Sequence, residues 1–138
     1  MASGTKNNHE LLKQLIEAEN AHDMEKMLAL MTDDVIIEDI PFGIVMRGKD
    51  GVRAGFTGFF NAAKDFQVHP KSWVTSERSF ALEVTYTGTQ TGDFPGMPAT
   101  GRGFSVRGCS IGEFEDGKVK GRRDYWDSAS LTRQLAGQ

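Results

Sequence analysis

The second half of this chain contains four strand-like segments in close succession, and the first half shows helical periodicity instead. The segments are Gln67–Ser76, Phe80–Gly88, Phe104–Phe114 and Lys118–Trp126. The last two are joined by Glu-Asp-Gly at 115–117, which is typical of a tight hairpin turn. Helices followed by a run of antiparallel strands predict an α+β fold. We expect a curved antiparallel sheet whose covering helices leave a conical pocket.

Apolar residues spaced three and four apart predict the helices of the first half. The predicted elements outside the strand run are helices over Glu10–Asn20, Met24–Met31 and Lys49–Lys64, a strand over Val35–Ile40 and a closing helix over Ser128–Leu135. Ser128 is the predicted cap of that closing helix. The segment from Thr89 to Gly103 is rich in glycine and proline, which indicates a loop bordering the mouth of the pocket.

Length and charge narrow the class of protein. With 138 residues, positions 1–138 form one predicted domain, of which residues 1–8 are short, polar and expected to be flexible. The net charge is −3 and the 16 basic residues are spread along the chain, which argues against a nucleic-acid partner. No apolar run approaches the length of a membrane span, so no membrane partner is expected.

The sequence offers no recognisable site for a cofactor or a metal. Its only cysteine, Cys109, excludes an internal disulfide and fits a reducing cytoplasm. His9, His22 and His69 lack the spacing of metal ligands, and no glycine-rich phosphate loop lies between a strand and a helix. We therefore expect a protein that works without cofactor or metal.

Two aspartates on predicted strands are the candidate catalytic residues. Side chains alternate along a strand, so Asp124 shares a face with Arg122 and Trp126. If that face looks inward, Asp124 is a carboxylate in an apolar cavity, which is costly and typical of proton transfer. Asp39 shares its face with Val35 and Ile37 by the same alternation. Two carboxyl groups in one cavity repel, so at least one should resist ionisation.

Each aspartate also has a purely structural interpretation. Asp124 would then be a carboxylate paired with Arg122 or Arg107. Asp39 would cap the turn at Pro41, a common role for aspartate. Both alternatives stay open at the level of the sequence.

Two stretches of the chain resemble the NTF2-like superfamily. The segment 33–43, Asp-Asp-Val-Ile-Ile-Glu-Asp-Ile-Pro-Phe-Gly, is similar to the ketosteroid isomerase strand that bears the catalytic base, and Asp39 matches that base. The Gly-Met-Pro loop at 96–98 and the Arg-Gln-Leu tail at 133–135 resemble the SnoaL-like polyketide cyclases, whose catalytic acid/base matches Asp124. The run Arg-Asp-Tyr-Trp-Asp ending at Asp127 also resembles limonene-epoxide hydrolases.

The chain departs from each of these families at functional positions. Leu15 and Ser110 stand where the isomerases form an oxyanion hole. Gly108 and Ser110 stand where the cyclases place polar residues. Val84 and Tyr86 stand where the epoxide hydrolases need an arginine and a second aspartate. The resemblance therefore implies the fold more firmly than the reaction.

The resemblance implies a cofactor-free acid/base enzyme, with a hydrophobic polyketide- or steroid-like substrate. A SnoaL-like cyclase would close a ring by an aldol-type reaction, with Asp124 protonating the accepting carbonyl. The alternatives are a double-bond isomerase in which Asp39 moves the proton, an epoxide hydrolase, and a non-enzymatic binding module. The expected substrate-binding residues are Ile37, Tyr86, Ser110, Arg122 and Trp126.

A homodimer is expected from the outer face of the sheet. Strand alternation assigns Ile36, Ile40, Val119 and Tyr125 to that face, and exposed apolar residues in such number are typical of an interface. The superfamily resemblance also implies a homodimer.

Overall fold

The computed structural model describes the backbone of residues 2–138 and the side chains from residue 7 onward. Its elements in chain order are α1 (Ala2–Asn20), α2 (Met24–Ala29), β1 (Met31–Asp39), β2 (Ile44–Arg47), α3 (Gly48–Ala62), β3 (Gln67–Thr75), β4 (Ser79–Thr89), β5 (Gly103–Glu115), β6 (Lys118–Trp126) and α4 (Ser128–Leu135). Met1 lies outside the described residues, and the expected flexibility of residues 1–8 stays a prediction. Within the described part of the chain, no helix is long and apolar enough to span a membrane.

The six strands form one curved, open sheet in the order β2-β1-β6-β5-β4-β3. The expected α+β class is confirmed, but the sheet is mixed and not wholly antiparallel. β1 and β6 pair in parallel, while the other neighbours pair antiparallel. In the parallel pair Asp39 lies opposite Asp124, so both side chains belong to the same face of adjacent strands.

Three local predictions were wrong. Strand β2 was not predicted, because only four residues separate Gly43 from the start of α3. The second helix ends at Ala29, and β1 begins at Met31 where the helical pattern was expected to continue. Asp127, not Ser128, caps α4, since its carboxylate accepts a hydrogen bond from the Ser130 N–H at 3.0 Å.

The helices cover one face of the sheet and bury the main core. α1 packs on β3, α3 on β1 and β2, and α4 on β5. Val35, Ile37 and Val119 are completely buried in this core. Val119 was expected on the outer face, and its burial corrects that prediction. The register between β5 and β6 shifts between Glu113 and Phe114, near Val119, so simple alternation along β6 does not hold at that end of the strand.

The loop from 90 to 102 is held in place by one buried side chain. Gln90 is fully buried, and its amide nitrogen donates to the carbonyl of Met97 at 2.8 Å. Its amide oxygen accepts from the N–H and the hydroxyl of Thr100 at 3.2 and 2.9 Å. One of these bonds is made to Met97 within the Gly-Met-Pro turn and two are made to Thr100 after it. Met97 in turn exchanges two backbone hydrogen bonds with Phe94, so the position of Phe94 depends on that of the turn.

Replacing Gln90 by methionine keeps the length of the side chain and removes all three hydrogen bonds. The carbonyl of Met97 and the polar groups of Thr100 lose their partner. We expect the free energy of unfolding to fall by about 1–3 kcal/mol, which urea denaturation measures. A change below about 0.5 kcal/mol would show that the loop is held by other contacts.

Candidate active site

A cavity lies between the inner face of the sheet and the helices that cover it. Its volume is about 70 Å³, small beside the roughly 300–1,000 Å³ of typical ligand pockets. Aromatic side chains form most of the wall, and charged groups lie among them. The lining residues are Glu19, Asp39, Phe42, Phe56, Phe59, Phe66, Val68, Tyr86, Phe94, Phe104, Val106, Arg122, Asp124, Trp126 and Leu131. A ligand of several fused rings can enter only if some of these side chains move.

Asp39 is held at the end of β1 by neutral hydrogen-bond donors. The indole N–H of Trp126 lies 3.1 Å from each of its carboxylate oxygens. The backbone N–H of Phe42 donates to Oδ1 at 3.0 Å, so Asp39 also closes the turn after β1. Its functional and structural interpretations are therefore compatible: the same carboxyl group shapes the turn and lines the cavity.

Asp124 accepts hydrogen bonds at both of its oxygens. The hydroxyl of Ser110 donates to Oδ1 at 2.6 Å, and Nη2 of Arg122 donates to Oδ2 at 3.2 Å. The arginine expected as a structural partner is thus Arg122, and Arg107 lies by a separate cavity whose lining also includes Cys109.

Arg122 joins Asp124 to a third carboxyl group that was not predicted from the sequence. Its Nη1 donates to Oε1 of Glu19 at 2.5 Å, across a separation of 103 residues. Its Nε lies 3.0 Å from Oδ1 of Asp124, but the alignment is poor and Nε has no hydrogen-bond partner among the described residues. All three side chains are close to fully buried. The guanidinium is shared between two carboxyl groups.

Burial controls the ionisation of this cluster. Desolvation raises the pKa of Glu19, and the attraction of Arg122 offsets only part of that effect. Desolvation also raises the pKa of Asp39, and the charge of Asp124 adds to it against the hydrogen bonds from Phe42 and Trp126. Arg122 stays charged: burial opposes its charge, but Asp124 and Glu19 together outweigh burial and raise its pKa.

Tyr86 closes the cavity on the side of β4. Burial raises the pKa of its hydroxyl, and the charge of Asp124 adds to the effect. The ring fills the space beside Gly108, where an added Cβ would lie 2.8 Å from Cε2 of Tyr86. A side chain at position 108 would therefore collide with the ring of Tyr86, and also with the carbonyl oxygen of Tyr125 at 2.7 Å.

Phe42 connects the aromatic walls of the cavity. From the turn after β1 its ring meets Trp126 at a centroid distance of 4.8 Å, Phe94 at 5.9 Å and Phe59 at 6.1 Å. These rings belong to β6, the loop before β5 and α3. Phe42 is only partly buried, so it is the natural side chain to move when a large ligand enters.

The structure places the seven predicted site residues at different depths. Asp39, Tyr86, Arg122, Asp124 and Trp126 line the cavity. Ser110 lies behind Asp124, and Ile37 lies in the main core away from the cavity wall. Glu19 and Phe42 line the cavity without having been predicted. Within residues 7–138, no group of three His, Cys, Asp or Glu side chains is arranged to hold a metal ion.

The raised pKa of Asp39 predicts how its replacement changes stability with pH. The folded state holds this proton more tightly than the unfolded chain, so ionisation of Asp39 lowers stability as pH rises through the folded pKa. Asp39→Asn removes that loss. We expect its melting temperature, relative to the parent protein, to increase between pH 4 and pH 8.

Asp65→Asn serves as a control of opposite sign. Hydrogen bonds from the hydroxyl and the N–H of Thr89 lower the pKa of Asp65, so it stabilises the fold at high pH and loses this effect as pH falls through the folded pKa. Asp65→Asn should therefore be least stable, relative to the parent protein, at neutral pH. The assignment for Asp39 is wrong if both variants respond to pH in the same direction.

Comparison with known structures finds the same fold in several proteins. TsrD from Streptomyces laurentii superposes with a TM-score of 0.84 at 26% identity, covering 96% of this chain and 97% of TsrD. AclR from Streptomyces galilaeus, a proposed hydroxylase, gives 0.81 at 25% identity over 97% of this chain and 83% of AclR. IdmH from Streptomyces antibioticus, a proposed polyketide cyclase, superposes with a TM-score of 0.80 at 21% identity, covering 94% of this chain and 98% of IdmH.

A search of curated protein sequences returns no match. The family model described as SnoaL-like polyketide cyclase matches residues 9–135, which includes every charged residue that lines the cavity. The predicted relationship to the SnoaL-like group of NTF2-like proteins is confirmed. The chain belongs to the SnoaL-like polyketide cyclase family.

Proposed function

We propose that this protein is a cofactor-free acid/base enzyme that closes a ring in a hydrophobic, polyketide-like substrate by an intramolecular aldol-type reaction. The main support is the pairing of Asp39 with Asp124 on adjacent strands at one aromatic cavity. The two carboxyl groups have different surroundings, which suits one to accept a proton and the other to donate one. Family membership supports the reaction class.

Asp124 acts as the base in this proposal. Its oxygens accept hydrogen bonds from Ser110 and from the charged Arg122, and in the reaction it removes a proton alpha to a substrate carbonyl. The resulting enolate carbon attacks a second carbonyl, whose oxygen takes the proton of Asp39. The raised pKa of Asp39 favours the protonated form that this step requires. The sequence had given the protonation step to Asp124, and the hydrogen bonds favour the opposite assignment.

One carbon–carbon bond forms and one carbon–hydrogen bond breaks in each cycle. Asp124 gains the proton that leaves carbon, and Asp39 loses the proton that reaches oxygen. A proton transfer from Asp124 to Asp39, directly or through water, restores the starting state. The aromatic walls hold the two ends of a flexible substrate together, which lowers the entropic part of the barrier.

The isomerase and epoxide hydrolase alternatives have less support. Leu15 is fully buried and apolar, and the hydroxyl of Ser110 is bonded to Asp124, so neither forms the oxyanion hole of the isomerases. Val84 and Tyr86 supply no arginine or carboxylate for a hydrolase. The small volume of the cavity favours one other candidate, a binding module without catalysis.

Replacing Asp124 by asparagine tests the chemistry. Asp124→Asn keeps the shape and removes the base, so kcat/KM on linear aromatic polyketone esters should fall about 10²–10⁴-fold. Asp39→Asn should also slow the ring closure, with substrate affinity largely kept. The kcat/KM of the double variant should be barely lower than that of the less active single variant, since the two residues act in one proton transfer.

Asp34→Asn is the matched control, because Asp34 is an exposed carboxylate on the same strand as Asp39. Its activity should equal that of the parent protein. Full ring-closing activity in Asp124→Asn would rule out Asp124 as the base. Ligand binding without turnover in the parent protein would favour the binding module.

We further propose that the protein works as a homodimer in the cytoplasm, joined through the outer face of the sheet. Ile36, Ile40, Ile111 and Tyr125 remain 37–43% exposed in the single chain. An ion pair between Arg123 and Glu113 crosses the same face at 2.7 Å. Several exposed apolar residues on one face suit a self-complementary interface.

Sedimentation equilibrium at micromolar concentrations should therefore give the mass of a dimer. Ile111→Glu places a charge in the middle of the outer face and should shift the protein to monomer. Ala54→Glu is the control, because it adds the same charge to the exposed surface of α3. A parent protein that sediments as a monomer across this range would contradict the proposal.

A further inference from the structure

We propose that the substrate of this cavity carries a positive charge, as a protonated or quaternary amine attached to an apolar body. The inference rests on the proposed function only in taking the same cavity as the substrate site. It adds the electrical character of the ligand, which the reaction class leaves open.

The charged groups that line the cavity are unequal in sign. Three are acidic, Glu19, Asp39 and Asp124, and one is basic, Arg122. Both terminal nitrogens of Arg122 are already bonded to carboxyl groups, and its Nε faces Asp124. No cation lining the cavity is left to meet a carboxylate or phosphate on a ligand. An anionic ligand would therefore be repelled by the carboxyl groups and left without a partner in a poorly solvated space.

Asp39 is the carboxyl group that lacks a positive partner. Its donors, Trp126 Nε1 and the N–H of Phe42, are neutral, and among the described residues it forms no ion pair. The same surroundings raise its pKa, first through burial. A ligand cation would supply the missing counter-charge, because it stabilises the ionised form of Asp39 that remains after this residue has given its proton to the substrate.

The aromatic walls suit a cation as well as an apolar group. The rings of Phe59, Phe94 and Trp126 come from separate parts of the chain and each contacts the ring of Phe42. Trp126 and the backbone of Phe42 also donate hydrogen bonds to Asp39. An ammonium group is attracted to the faces of such rings and needs no hydrogen-bond donor from the protein. A carboxylate beside an indole, enclosed by phenyl rings, therefore provides both charge and surface for an alkylated amine.

Three probes with the same benzyl body test the charge preference. Benzyltrimethylammonium is the cation, neopentylbenzene is its neutral isostere, and phenylmethanesulfonate is the anion of similar shape. Binding to the full chain at pH 7.5 and fixed ionic strength can be followed by tryptophan fluorescence, because Trp126 lines the cavity and the second tryptophan, Trp73, does not. We expect the Kd of the cation to be lower than that of the neutral probe by a factor of about ten or more. The anion should show no saturable binding.

Asp39→Asn identifies the group responsible. It should reduce the preference for the cation over the neutral probe to below about threefold, while binding of the neutral probe stays within twofold of the parent protein. Asp34→Asn removes an equal charge from the exposed part of the same strand and should keep the full preference. Circular dichroism confirms that each variant is folded.

Several outcomes would overturn the proposal. They are equal or tighter binding of the neutral probe, comparable binding of the anion, absence of cation binding at millimolar concentration, and an unchanged preference in Asp39→Asn. None of these measurements requires turnover. A failure here would leave the ring-closing chemistry intact for a neutral substrate, and full activity of Asp124→Asn would leave the charge preference intact.

Discussion

The buried ion pair between Arg122 and Glu19 is the constraint on which the cavity depends. A guanidinium at this depth that loses one partner costs about 3–5 kcal/mol, so the end of α1 must lie against β6. The next residue, Asn20, fixes the same helix end to β3. Its side-chain amide donates a hydrogen bond to the carbonyl of Val68 and accepts one from the N–H of Val68. Helix and sheet are thereby locked together where the polar end of the cavity lies. The position of Asp124 follows from that of Arg122.

Much of the fold could be predicted from local periodicity. The limits of β6 and α4 agree with the sequence prediction, and those of β3, β4 and β5 agree within one residue at each end. β1 begins four residues before the predicted strand Val35–Ile40. The parallel pairing of β1 with β6 could not be predicted. The alternation of side chains shows which residues share a face of a strand, but it is the same for parallel and antiparallel neighbours. Strand β2 was not predicted because four residues between two glycines are too few to show the alternation of a strand.

The candidate site was predictable where it lies on strands and not where it lies elsewhere. Alternation placed Asp39, Asp124 and Trp126 on one face, and all three line the cavity. Glu19 was missed because a glutamate beside Asn20 at the end of a helix resembles a solvated residue. Helical spacing places Glu19 on the same buried stripe of α1 as Leu12, Leu15 and Ile16, so its burial could have been predicted. Its partner Arg122 lies 103 residues away, and no local pattern contains that pairing. Phe42 was missed for the related reason that its contacts are made from a turn.

The polar groups of the cavity come from particular elements of the fold, and this origin explains which of them can respond to a ligand. At Gly108 an added Cβ would lie 2.7 Å from the carbonyl oxygen of Tyr125 and 2.8 Å from the ring of Tyr86. These contacts leave no room for a side chain at position 108, and Ser110 is the polar residue that β5 places beside Asp124. The charged groups of the cavity are the ones that α1, β1 and β6 supply. Since Arg122 already neutralises part of that cluster, Asp39 is the carboxyl group left to respond to a ligand, through its proton or through a ligand charge.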